Sequence, residues 1–309
     1  MFKKIVKKIA LAATLVCMAT TVAAATACNV ETKHPKVRIT VEFNSQEFEL
    51  DYTLYRNMYP STVRHFIELA ENGIYDNMLI HDYRTSDWLS GGFKYNAQEY
   101  AAAAEINAYA DYLEEHSLEG SYMELFEAGK LTPTVYSGSE YDDNGNLILV
   151  KDSALPTLVG EFYNNIKQTI NKGALTAVQG TLKMYYYAKE TTNKVHVTPS
   201  DEIIWNADYN TNCATSVFAM QVGSSSAISA SDYCVFGKMD SVTKLIDLID
   251  AVKDYYNDDE EAVSITVTDV NVDNLVEVFS SEAADKGIEV DFTLPALPIV
   301  IKTVKVTKY

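Results

Sequence analysis

Cysteine is scarce in this sequence, which limits the covalent support available to the fold. Four cysteines occur among 309 residues, and Cys17 and Cys28 both fall in the N-terminal segment. A disulfide-rich scaffold of the kind found in small secreted proteins is therefore excluded. Cys213 and Cys234 could form one bridge, but a sequence does not show whether their Cα atoms come within bonding distance. Two buried free thiols are the interpretation that we favour.

Basic residues are also few. The 25 lysines and arginines are outnumbered by 43 acidic residues, which gives a net charge of −18. Nucleic acid is excluded as a partner, because the neutralisation of phosphates requires a basic face. An anionic membrane surface would also repel the chain, so attachment to a membrane would need an anchor.

The motifs of metal-dependent and covalent catalysis are missing. The sequence contains no G-x-S-x-G, no HExxH and no phosphate-binding glycine loop. Its histidines do not show the spacing of metal ligands. The acidic stretch 142–146 is typical of an Asn-Gly hairpin turn rather than of a calcium loop, and it predicts a hairpin of Val135 and Tyr136 with residues 147–150. We therefore predict neither a metal nor a cofactor.

The N-terminal segment has the pattern of an export signal. Four lysines precede an apolar run and a stretch of small residues. Residues 25–28, Ala-Thr-Ala-Cys, are similar to a bacterial lipobox, which would make Cys28 a lipidated first residue, stably anchored by two acyl chains. We predict a signal peptide over 1–27, a tether over 28–35, and a chain on the outer face of the bacterial cytoplasmic membrane. Ordinary cleavage, giving a free secreted chain, is the alternative.

Local patterns predict several elements in the body of the chain. Apolar residues alternate over 36–50 with a turn at 44–45, which predicts a β-hairpin facing a core. Between Pro60 and Gly73 the apolar residues recur at helical spacing, so a helix is predicted there. Residues 94–157 are predicted to hold one or two helices followed by a hairpin.

Residues 59–93 carry a series of short motifs without a gap between the later ones. A helix, a Gly-x-Tyr-Asp turn, a His-containing strand and a Gly-Gly corner are formed by Pro60, Thr62, Val63, Phe66, Leu69, Gly73, Tyr75, Asp76, Ile80, His81, Asp82, Ser90, Gly91 and Gly92. The series resembles the cyclophilin-type peptidyl-prolyl isomerases, in a divergent bacterial lipoprotein form. The patterns of that family are P-x-T-V-x-N-F-x-x-L, G-x-Y-D, F-H-R and Q-G-G.

The resemblance implies a mainly β fold, with a closed eight-stranded β-barrel and two capping helices. Residues 172–177 resemble the family's R-G-x-L-S-M-A stretch, and residues 232–238 resemble its H-x-V-F-G-K/R strand. The cyclophilin-like domain would cover residues 36–309, with an α-rich insertion at about 94–157 and a second insertion at about 257–295.

The family's chemistry needs one positioned cation. Rotation about an X-Pro bond crosses a barrier of ~18–20 kcal/mol, and a fixed donor that binds the twisted amide more strongly lowers it. The family's Arg directly follows the His, but here Asp82 follows His81. Arg84 shares a strand face with Asp82. It is therefore the candidate catalytic residue, either reaching into the groove or, as we favour, pairing with Asp82.

The resemblance also implies a set of substrate-binding positions, which are His81, Trp88, Ser90, Ser216, Phe218 and Tyr233. Trp88, Phe218 and Tyr233 are predicted to form an aromatic pocket, whereas the two serines stand where the family has glutamines. His81 is more typical of a core histidine than of a general base. The run of tyrosines at 185–187 is assigned to packing rather than to a carbohydrate platform.

The function implied by the resemblance is that of a peptidyl-prolyl isomerase-like protein that assists the folding of exported proteins. Its partners would be proline-containing polypeptides or envelope proteins, with activity weakened because Asp82 replaces the family's Arg. The alternative is a catalytically inactive cyclophilin-like module that binds peptides or proteins on the cell surface. A third interpretation is an acidic adhesin for which the barrel is only a scaffold.

Overall fold

The computed structural model of the protein describes residues 34–166, 175–187, 193–200, 203–258, 264–271 and 289–309. The predicted signal peptide, the predicted lipidation site at Cys28 and most of the tether lie outside the described residues. Within the described part, no helix is long and apolar enough to cross a membrane.

The strands in these ranges are numbered along the chain. They are β1 Lys36–Phe43, β2 Gln46–Leu54, β3 Met78–Leu79, β4 Asp82–Tyr83, β5 Asp87–Ser90, β6 Val135–Tyr136, β7 Ser139–Tyr141, β8 Leu147–Leu149, β9 Ala154–Leu155, β10 Thr181–Met184, β11 Lys194–Ser200, β12 Ile203–Asp208, β13 Phe218–Gln221, β14 Cys234–Met239, β15 Ser264–Asn271, β16 Glu289–Pro295 and β17 Ile299–Lys308. The helices are α1 Pro60–Glu71, α2 Ala97–Ile106, α3 Tyr109–Glu115, α4 Glu119–Glu127, α5 Tyr163–Ile166 and α6 Thr243–Asp258.

One antiparallel sheet dominates the described residues. Its nine strands follow the order β3-β17-β1-β2-β14-β10-β13-β5-β4. The two end strands, β3 and β4, are separated in the chain only by Ile80 and His81, so the sheet must curl to bring its ends together. The predicted mainly β class is confirmed in this form, a large curled sheet accompanied by several helices rather than by two alone.

The first hairpin and the first helix form where local pattern places them. In β1 every second side chain is buried, and Val37, Ile39 and Val41 are fully so. Asn44 and Ser45 adopt φ values of 47° and 63°, the paired positive φ that a two-residue turn between right-twisted strands requires. Helix α1 begins at Pro60, whose missing N–H costs nothing there.

The core of the sheet is aromatic at its centre. Phe66 of α1 packs against Phe218 and Phe236, with ring centroids 5.3 and 5.0 Å apart. Both phenylalanines lie on strands of the main sheet and are fully buried. Helix α1 therefore packs on the core face of the main sheet. Cys213 and Cys234 are free and buried, so the prediction of two buried thiols is confirmed and they form no bridge.

The predicted pairing within residues 134–150 is wrong in one respect. The turn at the acidic stretch is present, but it joins β7 to β8, while β6 pairs with β11 and β9 instead. Strand β6 cannot be an arm of this turn, because β7 lies between β6 and the turn in the chain. The acidic loop closes on itself, since the Asp142 carboxylate accepts from the backbone N–H groups of Asn144 and Asn146.

The motif predicted at residues 172–177 is also displaced. Residues 172–174 lie outside the described residues, and residues 175–178 form no strand. The strand that pairs with β13 and β14 is β10, which begins one residue after Gly180. The letters Gly-Thr-Leu-Lys-Met at 180–184 match three of the four specified letters of the G-x-L-S-M pattern, seven residues further along the chain.

Candidate functional site

The pairing of β5 with β13 decides which side chains face the core. Ser90 lies opposite Phe218, Leu89 opposite Ala219, and Trp88 opposite Met220. Successive side chains of a strand point to opposite faces of the sheet. Trp88 and Phe218 belong to the main core, whereas Leu89 and Ala219 form a separate small cluster with Ile228. The second cluster therefore lies on the outer face.

The predicted aromatic pocket does not form. Phe218 is fully buried, with the rings of Phe66 and Tyr75 at 5.3 and 5.2 Å. Trp88 is only 2% exposed and packs against Tyr83. Of the three predicted residues, Tyr233 alone lies against the outer cluster. A shift of one residue along a strand exchanges the core face and the outer face. The pocket prediction is wrong because Phe218 faces the core, whereas its neighbour Ala219 lies in the outer cluster.

A set of stacked tyrosines covers the outer cluster. The rings of Tyr185 and Tyr233 are nearly parallel, at 6°, with centroids 5.2 Å apart, and Tyr186 lies 4.9 Å from Tyr233. All three are half-buried. We call Tyr185, Tyr186 and Tyr233 the tyrosine platform. Tyr185 and Tyr233 pack on Leu89, Ala219 and Ile228, so aromatic faces stand on an apolar floor.

Two hydroxyl groups of the platform, those of Tyr186 and Tyr233, stay protonated. Burial raises the pKa of Tyr186 to about 12 and raises the pKa of Tyr233 as well. The Tyr186 hydroxyl donates to the backbone oxygen of Asp232 at 3.2 Å. A protonated phenol is both a donor and an acceptor. Tyr186 and Tyr233 therefore offer neutral polar tips beside their apolar faces.

A buried ion pair holds the loop that carries part of this site. Lys183 and Asp87 are both at most 1% exposed, and the Lys183 ammonium donates to Asp87 Oδ1 at 2.9 Å. Ser226 completes the cluster, because its hydroxyl donates to Asp87 Oδ2 at 2.7 Å and lies 2.5 Å from the ammonium. Ser226 Oγ also accepts from the N–H of Ile228. The ion-pair cluster thus fixes Ile228 over the outer face. No pattern in the sequence predicts this cluster.

Asp82 and Arg84 form the ion pair that we favoured. Arg84 Nη2 lies 2.5 Å from Asp82 Oδ2. The carboxylate side chain is 2% exposed and the guanidinium side chain 40%. Burial raises the pKa of Asp82, and the adjacent guanidinium opposes the rise. Asp82 lies opposite Leu89 of the apolar floor, and the ion pair holds Arg84 beside Asp82, which places the guanidinium at the edge of the platform.

His81 is a core residue. It is fully buried, its ring meets those of Phe93 and Phe292 edge-on at 4.9 and 5.2 Å, and its Nε2 lies 3.3 Å from the Tyr187 hydroxyl. Burial lowers the pKa of His81 to about 3, and the nearby Arg84 acts in the same direction. The imidazole is therefore neutral at ordinary pH and is not available to a peptide.

The two serines at the family's glutamine positions hold the backbone together. Ser90 Oγ donates to the backbone oxygen of Leu79 at 2.9 Å, and Ser216 Oγ donates to that of Gly91 at 2.5 Å. Both serines are buried. Gly91 has φ of +91°, and a Cβ there would lie 2.2 Å from the Ser216 carbonyl oxygen. This close backbone approach explains the glycine, and neither serine faces the platform.

The burial of His81 predicts a loss of stability in acid. Its pKa is about 3 in the folded chain and about 6.5 when unfolded. Between these values the unfolded state binds more protons, so the free energy of unfolding should fall as pH drops from about 6.5 to 3, by roughly 1.4 kcal/mol per pH unit for this one group.

Urea denaturation at several pH values, compared between the wild type and His81→Asn, checks this expectation. Burial also lowers the pKa of His65, so the wild-type profile contains both contributions and only the difference between the two proteins isolates His81. Parallel profiles for the two proteins would show that His81 does not contribute.

Comparison with known proteins gives one family and several similar folds. The family model described as "Cyclophilin type peptidyl-prolyl cis-trans isomerase/CLD" matches residues 38–272, which is more than half of the chain. No curated protein matches. The solved structures that are similar include a cyclophilin-type peptidyl-prolyl cis-trans isomerase of Cryptosporidium parvum, with 14% identity, 89% of this chain and 99% of the other covered, and a TM-score of 0.38.

Two further structures are similar at the same level. One is the same Cryptosporidium parvum protein in the presence of the dipeptide Ala-Pro, with 14% identity, the same coverage and a TM-score of 0.37. The other is the Mimivirus cyclophilin, with 13% identity, 72% of this chain and 80% of the other covered, and a TM-score of 0.35.

Proposed function

Because the chain belongs to the cyclophilin-type peptidyl-prolyl cis-trans isomerase family, we propose that it binds proline-containing polypeptide segments on the tyrosine platform. One observation carries the proposal: Tyr185 and Tyr233 stack nearly parallel and half-exposed on the apolar floor of Leu89, Ala219 and Ile228. Proline-rich segments dock in aromatic-lined grooves because their rings are apolar and their extended form is already ordered.

The surroundings of the platform suit a peptide backbone. A prolyl residue has no N–H, so its neighbouring carbonyl oxygens are the groups that need partners. Tyrosine hydroxyls donate to such oxygens. The half-exposed Arg84 guanidinium at the edge of the platform is a further donor, and it remains charged at any ordinary pH.

We propose binding without isomerisation at a typical family rate. Catalysis requires a donor whose hydrogen bond strengthens as the amide twists, and Asp82, at the family's Arg position, is a buried carboxylate. Slow isomerisation through Arg84 is the second candidate, which its 40% exposed side chain and its pairing with Asp82, opposite Leu89 of the apolar floor, favour. In that case one of the guanidinium N–H groups of Arg84 would have to donate to the substrate instead of to Asp82.

Two assays on the same peptides test the proposal. Calorimetry should show binding of a blocked tetrapeptide with a central Ala-Pro bond and no binding of its Ala-Ala counterpart. Exchange NMR should show no acceleration of cis-trans interconversion, in the wild type or in Arg84→Ala. Equal binding of both peptides would refute the proline site, and acceleration that Arg84→Ala abolishes would establish the second candidate.

We also infer that residues 36–309 form one cyclophilin-like domain whose sheet closes into the eight-stranded barrel through residues 78–83. The backbone N–H of Ile80 donates to Ile299 on one edge, and that of His81 to Leu89 on the other. Strands β6–β9 and the β15–β16 pair lie outside the main sheet, which supports insertions at about 94–157 and 257–295. Rapid hydrogen exchange at the Ile80 and His81 amides would contradict closure.

A location outside the cytoplasm completes the proposal, so that the clients would be exported or envelope proteins. Its support is the N-terminal lysines, the apolar run and the lipobox-like Ala-Thr-Ala-Cys sequence. Fractionation of cells that express the wild type and Cys28→Ala would test it. A protein that stays in the cytoplasm, or an anchor that survives the loss of Cys28, would contradict this part of the proposal.

A further inference from the structure

Strands β15 and β16 form a sheet of their own that docks on the body of the chain beside β4. Among the described strands, they pair only with each other. The hairpin is amphipathic, because Val270, Phe292 and Leu294 are fully buried while Glu289 and Asp291 are exposed. A lone two-stranded hairpin is at best marginally stable in water. Its position therefore depends on the contacts of its apolar face.

Phe292 makes the contacts that join this strand pair to His81, at the position where the family binds its peptide. Its ring lies 5.2 Å from that of His81, 5.6 Å from that of Phe93 and 6.1 Å from that of Tyr187. The next residue, Thr293, donates its backbone N–H to Asp82 Oδ1 at 3.4 Å. The hairpin thus lies directly over the two positions that correspond to the family's His and Arg.

The far side of the hairpin is held by helix α3. The backbone N–H of Asn271 donates to Glu114 Oε1 at 3.2 Å. The hairpin therefore spans from α3 to β4 and covers the surface between them. His81 and Asp82, which this strand pair contacts, are at most 1% exposed, whereas Tyr185 and Tyr233 of the platform are half-exposed.

We propose that the β15–β16 hairpin is an intramolecular blocker, which occupies with Phe292 the part of the peptide groove over His81 and Asp82. The inference rests on the proposed peptide site. Peptide binding is then limited to the tyrosine platform, because the blocker competes with any ligand long enough to reach Asp82. When the binding-competent state is only a fraction of the population, the apparent affinity falls by that fraction.

Two peptides of different length distinguish the covered part of the groove from the open part. At ~3.3 Å per residue, Ala-Pro reaches little beyond the platform, whereas an octapeptide with a central Ala-Pro bond would extend over Asp82. In Phe292→Ala and Phe292→Leu, the octapeptide should bind at least about fivefold more tightly, and the affinity for Ala-Pro should stay within about twofold of wild type. Phe43→Leu, a buried phenylalanine that packs on Tyr255 and Tyr256 instead, should change neither affinity.

Chemical modification provides a readout that does not depend on peptide binding. Diethyl pyrocarbonate should leave His81 and His65 unmodified in the wild type, because both are buried. In the Phe292 variants it should modify His81 while His65, which contacts Tyr122 and not the hairpin, stays protected. Modification of both histidines in Phe292→Ala would mean that the core of this variant has opened. The milder variant Phe292→Leu is then used to test whether His81 alone becomes accessible.

The outcomes separate the two proposals. If the wild type binds no proline peptide, the proposed function is wrong, and the blocker is judged by the modification of His81 alone. If His81 stays as protected as His65 in folded Phe292→Leu and the octapeptide affinity is unchanged, the hairpin does not block the groove and this inference is wrong.

Discussion

Replacing Asp87 by alanine should lower the free energy of unfolding by about 3–5 kcal/mol, because a buried ion pair that loses one partner leaves an uncompensated charge. Among the described residues, only Ser226 would then remain as a partner for the fully buried ammonium of Lys183. Burial already lowers the pKa of Lys183, so the variant should also gain stability as the pH is raised toward deprotonation. Urea denaturation near neutral pH measures the loss.

Two comparisons make this test specific. In the double variant Asp87→Leu with Lys183→Met, both charges are removed, and most of the loss should be recovered. Lys194 and Asp208 form an ion pair that is more than half exposed on both sides, so Lys194→Ala should cost less than about 1 kcal/mol. If Asp87→Ala costs no more than Lys194→Ala, the buried pair is not the anchor of the Ile228 loop.

Removing the aromatic rings of the platform should weaken proline-peptide binding by at least about thirtyfold. Truncation of a tyrosine at the centre of an interface commonly costs about 2 kcal/mol or more, and the stacked pair of Tyr185 and Tyr233 is half-buried on an apolar floor. We therefore expect each single change to alanine to reduce affinity about tenfold or more, and the double change to exceed either. The two effects should not be additive, since the rings touch each other.

An exposed tyrosine elsewhere provides the matched control. Tyr141 lies on β7 and is 74% exposed, so Tyr141→Ala should leave the affinity unchanged. The conservative variants Tyr185→Phe and Tyr233→Phe keep the rings and lose only the hydroxyls, and they should retain most of the affinity. Equal binding by the wild type and by Tyr185→Ala with Tyr233→Ala would remove the platform from the peptide site.

The elements defined by local chemistry could be predicted from the sequence. Helix α1 and the β1–β2 hairpin follow from the spacing of apolar residues and from one turn, and both form where that spacing places them. The family patterns at Tyr75, His81 and Gly91 likewise lie together in the structure around β3–β5. The ion pair of Arg84 with Asp82 could be predicted because two residues of opposite charge share one strand face.

The site could not be predicted in the same way, because it depends on strand parity and on distant segments. Phe218 and Ala219 are neighbours in sequence, yet one enters the core and the other lies beneath the platform. The run of tyrosines at 185–187 is evident in the sequence, but the strand pairing of β10 is needed to show which of them lie against the outer cluster. Phe292 is 211 residues from His81 in the chain, and no sequence pattern links them.

The most direct test of the central claim is a crystal structure of the protein with a bound peptide that contains an Ala-Pro bond. We expect the prolyl ring to lie on the faces of Tyr185 and Tyr233, with Phe292 still packed beside His81. A prolyl ring placed at Asp82, without contact to Tyr233, would contradict it.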